Sequence, residues 1–199
     1  MAVKDPDLGH PVHDLIKKRW SPCVFADRPI PEGKLKSLFE AARWAPSSYN
    51  EQPWHWVIAF KGTPEFQKIL SLLVEPNQEW AKGAPLIGIT VTHLTFDRNG
   101  KPNRHAYHDV GLAMGGLCVQ ATAEGLYVHQ MAGFDHQGAP KALGIPEGYE
   151  AVAAFAIGYA GDPEKASENL KGRDTSKRER RKLADLIHHG TWDKRWLSE

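Results

Sequence analysis

Between Leu35 and Phe60 the chain switches its hydrophobic period, and that switch dictates a mixed architecture. Leu35, Leu38, Phe39 and Ala42 fall at i, i+3, i+4 and i+7, one face of an amphipathic helix that begins near Pro31-Glu32. Pro46 ends it, because proline disfavours helix at the residue before it. The polar stretch Ser47-Ser48-Tyr49-Asn50-Glu51-Gln52 follows, and after Pro53 the run Trp54-His55-Trp56-Val57-Ile58-Ala59-Phe60 reads as a strand. Taken alone, such a cluster of Ser, Asn and Pro is the ordinary composition of a turn. Held between two prolines, its amides and hydroxyls are also suited to gripping a polar planar ligand edge, since they both donate and accept.

The remaining segments continue the alternation. Val12 to Arg19 predicts a short helix with Val12, Leu15 and Ile16 at helical spacing. Phe66, Ile69, Leu70 and Leu73 predict a third helix closed by Pro76, and Pro85 to Thr92 a buried, β-branched strand. A polar loop, Asp97 to Pro102, leads to the longest helix, about Ala106 to Glu124. Its apolar face carries Val110, Ala113, Met114, Leu117, Cys118 and Ala121, and Gly111, Gly115 and Gly116 are assigned to close helix packing. Gly125 is a natural stop. Strands are expected at Tyr127 to Met131 and Val152 to Tyr159, and a last helix at Arg178 to His188. The alternation is not strict enough for a doubly wound sheet. The expectation is one domain over residues 1–199, with a loose lead-in at 1–11 and a C-terminal arm at 189–199.

Composition narrows the function classes. The 199 residues are 41% hydrophobic and 25% charged, an ordinary globular balance without a disorder signature. A formal net charge of +1 gives no global field for nucleic acid or an anionic membrane. Two cysteines, Cys23 and Cys118, are too few for a disulfide scaffold. No secretory h-region opens the chain and no apolar run reaches the length of a membrane span. A cytoplasmic location is expected, with neither nucleic acid nor membrane as partner. His105 and His108 share a helix turn but lack a third ligand of suitable spacing, so no metal is assigned. No Gly-x-Gly-x-x-Gly follows a strand, which argues against a dinucleotide domain.

A second motif lies upstream of the proline-bounded loop. In Ile16-Lys17-Lys18-Arg19-Trp20-Ser21-Pro22 a basic helix end runs into a Ser-Pro turn. With Pro46-Ser47-Ser48-Tyr49-Asn50-Glu51-Gln52-Pro53-Trp54, it resembles the FMN-dependent nitroreductase family. That family carries an Arg-x-Ser motif near its N-terminus and a Pro-Ser-Ser-x-Asn-x-Gln-Pro-Trp loop, in this order with a helix between. The resemblance covers Val12 to Trp196. It implies an α+β nitroreductase-like fold: a central, mostly antiparallel sheet flanked by helices, in an intertwined homodimer with FMN at the subunit interface.

What the resemblance implies for individual residues is as follows. Arg19, Trp20 and Ser21 would meet the phosphate and ribityl end, where a guanidinium forms charge-assisted, often bidentate hydrogen bonds. Pro46, Ser47, Ser48, Asn50 and Gln52 would form the flavin loop, reaching the flavin of the other subunit. Asn77 would bond the pyrimidine edge. Gln130, Met131, Ala132 and Gly133 would pass beside N5, and Arg180 and Arg181, in the run Lys177 to Lys182, would supply further cations for the phosphate. The implied activity is two-electron, ping-pong transfer from NAD(P)H to a nitroaromatic, quinone or similar small acceptor, with no side chain as nucleophile or general base. The alternatives are other flavin chemistry on the same fold (dehalogenation, ene reduction, ring oxidation, flavin fragmentation) and a non-catalytic flavin-binding protein. The segments 93–105 and 134–148 would shape the acceptor pocket. One departure stands out. Where the family has a second cation, this chain has Cys23, which implies a lowered flavin potential or a substitute donor such as Arg28; a catalytic thiol is the rival reading and a packed small hydrophobe the ordinary one.

Overall fold

The computed structural model describes Pro6 and residues 8–197; residues 1–5 and 7 of the expected lead-in and residues 198–199 of the expected arm lie outside them. Helix α1 spans Asp14–Lys18 and α2 spans Glu32–Arg43. A 3-10 turn, Ser48–Asn50, joins α2 to strand β1, Trp54–Phe60. Helices α3 (Pro64–Leu72) and α4 (Glu75–Ala81) precede strand β2, Leu86–His93. The long helix α5 is Ala106–Ala123, and strand β3, Tyr127–Met131, follows it. Helix α6 (Gly138–Leu143), strand β4 (Tyr149–Gly158) and helix α7 (Glu168–Thr175) complete the elements used below.

The four strands form one antiparallel sheet in the order β1-β2-β4-β3. Its two faces carry separate cores, and the period-2 alternation of the strands decides which side chain joins which. From β4, Phe155 and Ile157 pack with Leu86, Leu38 and the apolar stripe of α2 and α5. Ala154 and Ala156 face the other way, with Ile87, Ile89 and Val91 of β2 and with Phe66, Ile69 and Trp80 of α3 and α4. At Gly88 the strands approach so closely that a Cβ would lie 2.5 Å from the Phe155 ring and 2.7 Å from the Val57 carbonyl. The missing side chain is the space that Phe155 fills.

Several expectations need correction. Pro76 does not close a helix; it sits in the first turn of α4, where its missing N–H costs nothing. Arg178 to His188 is not a helix: the chain is extended through the basic run, with one 3-10 turn at Leu183–Asp185. Arg178, Arg181 and Lys182 would have stacked like charges at helical spacing, which disfavours that conformation. The helix of this region is α7, upstream, capped by the Ser167 hydroxyl accepting from Leu170 N–H. Of the three glycines in α5, only Gly116 serves close packing within the chain, with a Cβ position 3.1 Å from the Ala41 carbonyl. Gly111 and Gly115 face open space.

Candidate functional site

The N-terminal motif lies just past α1. Trp20 is buried, its ring edge-on to Tyr127 at 5.8 Å, while Arg19 is half-buried and Ser21 exposed. A weak 3.5 Å hydrogen bond runs from the Arg19 guanidinium to the Ser21 hydroxyl, so both polar groups occupy one spot. Beneath them is Cys118 of α5. Burial pushes its thiol pKa up, and the Arg19 charge opposes that shift. Gln130 of β3 donates to the Cys118 sulfur at 3.8 Å. Arg19, Ser21 and Gln130 thereby gather around one end of α5.

Arg180 and Arg181 remain exposed, and Arg180 donates to the Glu179 carbonyl. It is Arg178 that turns inward, donating to the Lys17 and Arg19 carbonyls at 2.7 Å each.

Asn77 of α4 and the turn after β3 form a second contact. Asn77 Nδ2 donates to the Gly133 carbonyl at 3.0 Å, and that carbonyl also accepts from Val74 N–H. A Cβ at residue 133 would lie 2.7 Å from Val74 and 2.8 Å from Asn77 Nδ2, so any side chain there would force these neighbours to shift. Met131 is buried at the end of β3 and Ala132 exposed.

The proline-bounded loop is strained. Tyr49, Asn50 and Gln52 all have positive φ, 55°, 58° and 51°, the only non-glycine residues to do so among those described. Asparagine tolerates this region; tyrosine and glutamine do so at a cost of about 1 kcal/mol or more each. Surrounding bonds hold them there. Gln52 N–H donates to Ser47 Oγ at 3.0 Å and the Gln52 amide to the Asn50 carbonyl at 3.0 Å. From outside the loop, buried Asp109 of α5 accepts from Ser48 N–H at 3.0 Å. On the solvent side, Glu51 accepts from the amide of Asp97, and the Arg98 guanidinium lies 3.9 Å from the centre of the Tyr49 ring. Sequence reasoning missed Asp109; a carboxylate in a helix's first turn was its one visible signal.

Asp109 and Cys118 stand about 14 Å apart along α5 at the usual helical rise. The loop and the Arg19 cluster therefore meet α5 at separate points along its length within one chain.

Cys23 is buried, its Sγ 3.9 Å from His129 Nδ1, which donates to the Pro22 carbonyl at 2.8 Å. His129 stacks on Trp80 at 4.2 Å, and burial lowers its pKa. Arg28 is directed elsewhere, its guanidinium 4.0 Å from the Tyr159 ring centre. Apart from all these residues, an apolar groove of about 890 Å³ runs between α2 and the edge strand β1, lined by Leu35, Phe39, Trp54, Trp56 and Ile58.

The Nitroreductase family model matches residues 16–159. A solved structure described as an oxidoreductase containing FMN superposes with a TM-score of 0.88 at 32% identity, covering 98% of this chain and 100% of that one. An uncharacterized 15.4 kDa protein of Mycolicibacterium smegmatis is 39% identical over 45% of this chain, which spans 60% of that protein's length. A nitrobenzene nitroreductase of Ectopseudomonas oleovorans is 32% identical over 37% of this chain and 32% of its own.

Proposed function

The chain belongs to the nitroreductase family, and from that premise we propose that it is an oxidoreductase using FMN to pass electrons from NAD(P)H to a nitroaromatic, quinone or similar small acceptor. Bound FMN supplies the redox chemistry, two electrons at a time in a ping-pong cycle. The chain's own residues bind, orient and shield. Arg19 and Ser21 offer a cation and a hydroxyl in one place, which suits a phosphate dianion. The loop of Ser47, Ser48, Asn50 and Gln52 offers hydroxyls and amides, which suit a ring edge that both donates and accepts. Asn77, Gly133 and the end of β3 form a narrow turn in which a Cβ at residue 133 would crowd Val74 and the Asn77 amide.

The observation that carries this reading is the strained loop. Three non-glycine residues have positive φ, and their neighbours Ser48 and Glu51 are bonded to Asp109 of α5 and to the amide of Asp97. Backbone strain of this kind persists only where the surrounding structure enforces it, and it clusters at ligand-binding and active sites. No side chain is assigned as nucleophile or general base.

A homodimer with shared sites belongs to the same proposal. Its support is the separation of the loop from the Arg19 cluster along α5, and the apolar surface left uncovered: Trp192 is 85% and Trp196 60% exposed. Gly111, Leu112 and Gly115 leave one face of α5 open to a close neighbour. Steady-state NAD(P)H oxidation with a quinone acceptor tests the activity. Turnover dependent on bound FMN is expected; a protein that holds FMN yet consumes no nicotinamide is a carrier.

A further inference from the structure

The last turn of α7 and the extended chain just past it grip the segment that carries Arg19 and Ser21 from two sides. Asp174, only 4% exposed, places one carboxylate oxygen 2.8 Å from Cys23 N and the other 3.0 Å from Val24 N. Four residues on, past the end of the helix, the Arg178 guanidinium forks across the carbonyls of Lys17 and Arg19, 2.7 Å from each. A carboxylate thus holds the amides on one flank of Arg19-Trp20-Ser21, and a guanidinium holds the carbonyls on the other. Residues 19–24 contain no helix and only one isolated bridge residue follows them, so regular secondary structure does not fix their shape. Charge-assisted bonds to both flanks do so instead.

We propose that Asp174 and Arg178 are positioning residues for phosphate binding, setting the conformation of Arg19-Trp20-Ser21 without touching the ligand. The proposal rests on the reading that Arg19 and Ser21 meet the FMN phosphate. It also gives the basic run a specific role: its first arginine shapes the cradle, where the sequence suggested that later arginines line it. A fork explains why arginine stands at this position. Lysine is a point charge that does not span two carbonyls in one plane.

The test compares FMN with riboflavin, which differ by the phosphate. Full-length protein freed of flavin is titrated with each, following flavin fluorescence, for wild type, Arg178→Ala, Arg178→Lys, Asp174→Ala, Asp174→Asn and Arg19→Ala. Arg178→Ala and Asp174→Ala are expected to weaken FMN about tenfold and riboflavin less than twofold, in keeping with the loss of a charge-assisted pair. Arg178→Lys, which keeps the charge, and Asp174→Asn, which keeps one acceptor oxygen, should recover part of the loss. Should Asp174→Ala fail to fold, the Arg178 pair decides. Equal weakening of both flavins, or of neither, overturns the positioning role while Arg19→Ala still lowers the FMN-to-riboflavin preference. A preference unchanged in Arg19→Ala overturns the phosphate reading itself, and the proposal with it.

Discussion

His129 shows how one buried ring ties stability to pH. Burial between Trp80 and Cys23 is the main force lowering its pKa, and the Pro22 carbonyl only partly offsets it. In the unfolded chain the ring takes a proton near pH 6.5, while in the fold it stays neutral to lower pH. Its contribution is complete above about pH 6.5 and fades as pH falls toward the folded value. A series of melting temperatures between pH 8 and 5 should therefore fall more steeply for wild type than for His129→Gln. Parallel curves would show that the ring is not the source. At Gly133 packing decides instead. Gly133→Ala should cost about 1–3 kcal/mol, read as a lower urea midpoint at unchanged m, because the new methyl meets Val74 and the Asn77 amide. Cys23 sits in the buried core, as its ordinary reading expects, and Arg28 lies over Tyr159, away from it.

Among the elements, those with a strong period or a clear stop were legible: β1 and β3 fall on the expected residues, and α2 and α5 within a few. The short helices α4, α6 and α7 were not, because seven, six and eight residues give too few turns for a period to register. The C-terminal helix failed for another reason: apolar spacing cannot reveal that Arg178 is taken up by carbonyls of residues 17 and 19. The same limit hid Asp109, which anchors the loop whose Ser47, Ser48, Asn50 and Gln52 were expected to meet the flavin. Removing that anchor tests the loop as an element. Asp109→Ala should cost about 1–3 kcal/mol by leaving the Ser48 amide unmet, with Asp109→Asn milder because its carbonyl oxygen can still accept. FMN affinity should fall in the same order. An Asp109→Ala protein with unchanged melting and unchanged affinity would mean that the loop holds its shape unaided.

At the scale of the whole molecule, the proposed function has two half-sites, the Arg19 cluster and the strained loop, at separate points along α5. In the proposed dimer a second copy would supply the missing half and cover the exposed tryptophans of the tail. Truncation after Lys182 removes Leu183, Leu186, Trp192 and Trp196 and should shift the sedimenting species from dimer toward monomer; a wild type that sediments as a monomer at micromolar concentration would contradict the shared site. The central claim, that the chain carries FMN and reduces it with a nicotinamide, is tested most directly by anaerobic stopped-flow absorbance on mixing with NADH, then NADPH. The account predicts a yellow protein whose flavin absorbance bleaches quickly with at least one of the two. A yellow protein inert to both would contradict the nicotinamide-linked activity, and a colourless protein that cannot be reconstituted with FMN would contradict the account at its root.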